Sequence, residues 1–202
     1  MNINKMLLSK NKYSRPGIYM DKIKGIVIHY VGNPNTSAEA NRNYFENLKY
    51  GTNNIYASSH YIIGIDGEII MCVPEGEVAY HASKANYEYI GIECCHKYSD
   101  GKFSHKTINS LVMLCEDIIS RYGNMDIIRH YDVTGKNCPL YYVKNTDEWK
   151  NILKLIEEDK MTTDEAVAVL KKNLRLEDST IQFLLCYKFG DELVKRIAQN
   201  IK

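Results

Sequence analysis

Regular patterning begins at Gly25-Ile26-Val27-Ile28-His29-Tyr30, a short apolar run rich in β-branched residues that predicts a buried strand. Asn33-Pro34-Asn35 interrupts it. Thr36 with Glu39 then forms a capping-box pattern that predicts a helix to about Lys49, before the loop Gly51-Thr52-Asn53-Asn54. His60 to Ile65 and Glu68 to Val73 predict two strands joined at Asp66-Gly67, a dipeptide suited to a tight hairpin. Tyr89 to Cys95 predicts a further strand. Ile108, Leu111, Val112, Cys115, Ile118, Ile119 and Tyr122 recur at helical spacing, and Gly123 suits the helix end. Asp126 to Arg129 predicts a last short strand, and Trp149, Ile152, Leu153 and Ile156 an amphipathic helix. Strands interspersed with helices predict an α/β domain, a mixed central β-sheet flanked by helices.

The texture changes at Glu157. Glu157-Glu158-Asp159-Lys160 is a charged linker candidate, and the 42 residues from Met161 to Lys202 carry no strand signal. Thr162 with Glu165 and Ser179 with Gln182 form two capping boxes, and Gly190-Asp191 marks a third boundary. The apolar residues between them predict three short helices, a small all-α C-terminal domain. The expected organisation is therefore residues 1–156, a linker at 157–160, and residues 161–202.

Composition narrows the class. The chain is 45% hydrophobic and 25% charged, which fits a globular protein. Its 26 Lys and Arg nearly balance 25 Asp and Glu, which argues against a nucleic-acid binder. No run of 18 apolar residues occurs, so no membrane span is expected. Between Met1 and Gly17 the longest apolar run is Met6-Leu7-Leu8, too short for a signal-peptide core, so a cytoplasmic chain is expected. Its six cysteines need not pair in that compartment, and adjacent Cys94 and Cys95 point to opposite faces of a strand.

The segment Arg129-His130-Tyr131-Asp132-Val133-Thr134-Gly135-Lys136-Asn137-Cys138-Pro139 is the richest in chemistry. His130 and Cys138 lie eight apart across Gly135, a spacing that only a loop folding back brings together. With His29 they form a possible three-ligand zinc set, leaving a fourth tetrahedral position open as in catalytic sites. Spacing alone leaves a second reading open, in which His29 is a hydrogen-bonded core histidine and Cys138 a small buried hydrophobe.

Five blocks fall in one order: Gly25-Ile-Val-Ile-His-Tyr, Ser58-Ser-His-Tyr-Ile-Ile, Tyr80-His-Ala, Ile90-Gly-Ile-Glu, and His130 to Pro139. In that order they resemble the zinc-dependent N-acetylmuramoyl-L-alanine amidases, a family that includes autolysins, phage endolysins and peptidoglycan recognition proteins. The resemblance covers roughly Lys22 to Ile156. It implies zinc on His29, His130 and Cys138, with Glu93 as general base and Lys136 stabilising the oxyanion. It places His81, and with it His60, among substrate contacts. Asp132 has two readings, as a partner orienting a ligand or as a cap of the loop. One departure concerns a tyrosine that some members carry before the His-aromatic pair. Here Ser59 precedes His60-Tyr61, which puts more weight on Glu93. On a strand Glu93 alternates with Ile92 and Cys94, so Ile90 and Ile92 are expected in the core and Glu93 in the groove.

The implied reaction is attack of zinc-activated water on the amide joining the lactyl group of muramic acid to L-alanine. Endolysins of Gram-positive hosts usually pair such a domain with a wall-binding module, because tethering raises effective concentration. Residues 161–202 are expected to bind a cell-wall polymer, with Phe183, Tyr187 and Phe189 as contacts or as bundle core. A module this short also suggests self-association. Glu157-Glu158 ahead of Met161 can encode an internal ribosome-binding site, and hence a separately translated C-terminal fragment starting at Met161. Missing export signals fit a phage or prophage endolysin released by a holin. Two alternatives stand beside this: a non-catalytic peptidoglycan-recognition module, whose members typically lack the ligating cysteine, and a cysteine hydrolase using Cys138 or Cys94.

Overall fold

The computed structural model describes residues 1–51, 54–158, 162–187 and 190–201. Asp159 and Lys160 of the expected linker, the Met161 start, and Phe189 lie outside the described residues. The chain divides into two compact units, residues 1–153 and 154–202.

The first unit is built on one six-stranded mixed sheet, as the alternation of strands and helices predicts. Its strands are β1 (Ile3–Lys5), β2 (Gly25–Tyr30), β3 (Tyr61–Ile63), β4 (Ile69–Met71), β5 (Tyr89–Cys94) and β6 (Asp126–Arg129). Their order across the sheet is β1-β4-β3-β5-β2-β6. The β3–β4 pair is antiparallel, the hairpin expected at Asp66-Gly67, and every other pair is parallel. The helices of this unit are α1 (Ala38–Asn47), α2 (His105–Tyr122), α3 (His130–Thr134) and α4 (Leu140–Lys144), with α5 (Thr146–Glu158) closing the region.

Strands β2 and β5 are central and parallel, so both faces must be covered, which explains their near-continuous apolar runs. Ile26, Ile28, Ile90 and Ile92 are fully buried. On the opposite face Ile62 and Ile70 pack in one cluster with Ala38 and Phe45 of α1 and with Leu8 from the N-terminal segment. Burial of each large aliphatic side chain contributes about 1.5–3 kcal/mol. Arg15 fastens the N-terminal segment further, through a bidentate pair with Glu77 and a bond to the Leu8 carbonyl.

Several sequence expectations are corrected. Ser37, not Thr36, caps α1: its hydroxyl accepts from the Ala40 N–H, while Thr36 turns back to the Asn33 carbonyl. Strands β3 and β4 are shorter than their apolar runs. β1 has no strand signal because Ile3 is its one apolar residue, and it exists by pairing with the sheet edge at β4. Glu157 and Glu158 are helical, within α5, rather than linker.

The second unit holds α6 (Thr163–Leu174), α7 (Asp178–Leu185) and α8 (Gly190–Asn200), the three helices expected. Thr162 and Glu165 form the expected capping box, but α7 begins directly after Glu177, ahead of Ser179, with no side-chain cap. Ala166, Leu170, Val194 and Ala198 make a small core, joined by Leu184 and Leu185. Phe183 and Tyr187 are not core; they are 64% and 56% exposed. Among the described residues no helix is long and apolar enough to cross a membrane.

Candidate metal centre

The centre is assembled at the end of β2, beside the ends of its neighbours β5 and β6. His29 and Glu93 are paired in register on β2 and β5. In-register residues of parallel strands project to the same face, so the sheet sets both side chains side by side. Ile92, one position before, is fully buried on the other face, as the alternation predicts.

β6 runs directly into α3, whose first residue is His130. Asp132 accepts from the Arg129 N–H at 2.8 Å and from its guanidinium at 2.7 and 3.1 Å. Of its two readings, Asp132 takes that of a cap, fixing the backbone next to His130. The helix ends after one turn at Gly135, whose φ of 77° lies in the left-handed region that glycine enters without strain. The chain then reverses, and the Tyr131 N–H donates to the Cys138 carbonyl at 2.9 Å. This fold-back brings His130 and Cys138 together across their eight-residue spacing.

The ligand atoms of His29, His130 and Cys138 lie within 4.8 Å of one another. The His29 and His130 rings meet edge to face, with centroids 4.7 Å apart. His29 Nδ1 is 3.8 Å from Cys138 Sγ and 4.0 Å from Glu93 Oε1. Two imidazoles and one thiolate donor match the borderline-soft preference of zinc, and three protein ligands leave a position for substrate chemistry. Burial, reinforced by the nearby His81, His130 and Lys136, lowers the His29 pKa and keeps the ring neutral, the ligating form.

Glu93 Oε2 is buried and has no hydrogen-bond partner. Burial pushes the Glu93 carboxyl up to about 8, against the pull of the Lys136 charge. A carboxyl poised near neutrality with one oxygen uncommitted suits proton transfer at neutral pH. Lys136 is exposed on the same groove, where its charge is felt by Glu93, His29, His130 and Cys138. Burial pushes the Cys138 thiol up to about 12, which is opposite to the activation a cysteine nucleophile needs.

The two histidines expected at the substrate are placed differently from each other. His60 is fully buried, with Nε2 donating to the Glu77 carbonyl at 2.8 Å and Nδ1 accepting from the Gly91 N–H at 2.9 Å. Both ring nitrogens are consumed by backbone, so His60 ties its segment to β5 and to the Glu77 loop and leaves no free ring nitrogen toward the groove. His81 lines the groove, but its nitrogens are also engaged, Nδ1 with His29 Nε2 at 3.1 Å and Nε2 with the Tyr89 carbonyl at 3.0 Å.

The groove, about 370 Å³, has an aromatic wall of which the motifs signalled only Tyr80: it joins Tyr56, in edge-to-face contact at 5.8 Å, and Tyr44 and Phe45 from α1.

The family model described as N-acetylmuramoyl-L-alanine amidase matches residues 19–140. The chain is 34% identical over 162 residues to N-acetylmuramoyl-L-alanine amidase BlyA of Bacillus subtilis strain 168, covering 69% of this chain and 42% of that protein. It is 32% identical over 171 residues to N-acetylmuramoyl-L-alanine amidase CwlL of Bacillus licheniformis, covering 78% and 47% respectively. The chain thus spans somewhat under half the length of these curated relatives. Among solved structures, PlyL superposes with a TM-score of 0.64 at 27% identity, covering 77% of this chain and 97% of that one. A mutant endolysin from Bacillus subtilis gives the same score and identity, covering 77% and 99%. With its fold, its ordered motifs and its gathered donors, the chain belongs to the N-acetylmuramoyl-L-alanine amidase family.

Proposed function

We propose that the chain is a peptidoglycan hydrolase that cleaves the amide between N-acetylmuramic acid and the L-alanine of the stem peptide, with Zn2+ held by His29, His130 and Cys138. The observation that carries this reading is the convergence of those three donors with Glu93, whose Oε2 has no hydrogen-bond partner among the described residues, in one groove. Zinc, when bound, supplies Lewis acidity that makes water reactive at neutral pH. Glu93 takes the proton of the attacking water at Oε2 and returns it to the leaving L-alanine nitrogen. Lys136 places a positive charge where the carbonyl oxygen becomes negative, a contribution made mainly in the transition state. The aromatic wall of Tyr44, Tyr56 and Tyr80 excludes water from one side and presents flat faces to the sugar or its lactyl arm.

The wider reading is a phage or prophage endolysin acting on a Gram-positive wall and released from the host cytoplasm by a holin. Residues 161–202 hold a cell-wall polymer, and self-associate directly or through a fragment translated from Met161. That start is tested by the Met161→Ala variant, which loses a short band if the fragment exists and shows an unchanged pattern if it does not.

Zinc content of the purified chain, measured alongside release of L-alanine amino termini from Gram-positive walls with and without chelator, tests the central claim. About one zinc per chain with chelator-sensitive release is expected. Zinc without release would instead indicate a recognition module, and release that survives chelation would bring a cysteine nucleophile forward.

A further inference from the structure

The two nitrogens of a ligating histidine are not equivalent, and the hydrogen bond made by one decides whether the other has a lone pair to offer. At His29, Nδ1 faces Cys138 Sγ and Glu93 Oε1, while Nε2 faces His81 Nδ1 at 3.1 Å. The hydrogens along this path can be assigned from its far end. A carbonyl oxygen only accepts, so His81 Nε2, 3.0 Å from the Tyr89 carbonyl, carries a hydrogen. A neutral imidazole holds one hydrogen, and on His81 that hydrogen is the one on Nε2. His81 Nδ1 is therefore an acceptor, and His29 Nε2 must donate to it. That leaves His29 Nδ1 unprotonated on the side of Cys138 and Glu93.

We propose that His81 is a positioning residue that relays the Tyr89 carbonyl to His29, fixing the His29 tautomer so that Nδ1 is its metal-binding atom. The surroundings hold His81 in this orientation. The Asn86 side-chain oxygen accepts from the backbone N–H groups of His81 and Ala82 at 2.8 and 2.7 Å. The His81 ring lies against β5 so closely that a Cβ at Gly91 would stand 2.5 Å from His81 Cγ, so only glycine admits the ring there. His60, with ring centroid 5.8 Å away, has both nitrogens occupied by backbone and offers His81 no competing partner.

The inference rests on the zinc reading above, and the test separates the two. Zinc affinity of the full chain is measured by competition with a chromophoric chelator, for wild type, His81→Gln and His81→Asn. Asparagine can set its side-chain oxygen near the position of Nδ1 and still accept from His29, whereas glutamine reaches toward Nε2 and leaves His29 without an acceptor. Glutamine is expected to weaken zinc binding about 10- to 100-fold, with asparagine recovering most of that loss. Equal affinity in all three proteins, or equal loss in both variants, would overturn the relay while leaving the zinc site standing. A wild-type chain without zinc affinity would overturn the zinc reading itself. A second readout needs no variant: nitrogen-15 NMR of zinc-free wild type should show His29 protonated at Nε2, and a hydrogen on Nδ1 would refute the assignment.

Discussion

His29 and Glu93 face each other in register on neighbouring parallel strands, with His29 Nδ1 4.0 Å from Glu93 Oε1. Register fixes the backbone spacing beneath these two side chains, whose proposed roles are metal ligand and proton acceptor. Glu93→Gln keeps the shape and removes the proton-accepting oxygen. It is expected to lower L-alanine release by about 10²- to 10⁴-fold while zinc affinity stays within a few-fold of wild type. Retained hydrolysis in this variant would place the proton acceptor elsewhere.

The Cys138 thiol gives the metal reading a sign in pH. Burial, with the Glu93 charge adding to it, holds the thiol up at about 12, so it is protonated at neutral pH in the metal-free protein. Ligation requires the thiolate, so zinc binding must expel a proton and affinity must rise with pH. Calorimetry in two buffers of different ionisation enthalpy should report about one more proton released by wild type than by Cys138→Ala at pH 7. Identical proton release from the two proteins would remove Cys138 from the ligand set.

Much of this was legible in the sequence, for identifiable reasons. β2, β5 and α2 are long or strongly patterned, and their burial matches their pattern. The grouping of His29, His130 and Cys138 was marked by the motif order, and the fold-back that joins His130 to Cys138 was marked by Gly135. What sequence could not carry is which neighbour a polar side chain meets. His60 and His81 sit in equally suggestive motifs, yet one is pinned to the backbone of two segments and the other leans on His29. The Tyr44, Tyr56 and Tyr80 wall joins three separate segments, and β1 exists by edge pairing rather than by propensity.

Arg15 and Glu77 tie the N-terminal segment to the loop that also receives His60. Both bonds of the pair are 2.8 Å, and the side chains are 12% and 6% exposed. Removing one partner of so enclosed a pair leaves the other charge without compensation. Arg15→Met is expected to cost about 3 kcal/mol in urea unfolding. A loss below about 1 kcal/mol would mean that water reaches Glu77 once the guanidinium is gone.

Glu46 contributes with a different pH signature. Burial raises its pKa, but bonds from Lys49 and Ser9 and the charge of Arg42 outweigh that and hold it at about 2. A folded pKa below the ordinary 4.5 stabilises the fold above that value, and the contribution is lost as pH falls toward about 2. Glu46→Gln should therefore lower stability by about 1–3 kcal/mol at pH 7, with the gap to wild type closing between about pH 5 and pH 2. A gap that stays constant across that range would show that packing, not charge, accounts for the loss.

Phe183 and Tyr187 present an exposed aromatic pair on the second unit, in perpendicular contact at 5.4 Å. Ile181 on α7 is buried while Phe183, two positions on, is turned away from it, so the pair adds little to the small core. Truncating both to alanine should change stability by no more than about 0.5 kcal/mol, the range for surface positions. If the pair is the wall contact, the double variant should bind Gram-positive walls about tenfold more weakly in pelleting assays, the loss expected of a truncated aromatic anchor. Hydrolysis of a soluble muropeptide should be unchanged, because the groove lies wholly within residues 1–153. Unaltered pelleting together with a shift from dimer to monomer in sedimentation would assign the pair to self-association instead. Unaltered pelleting and unaltered mass would leave wall binding to another face of the helical unit.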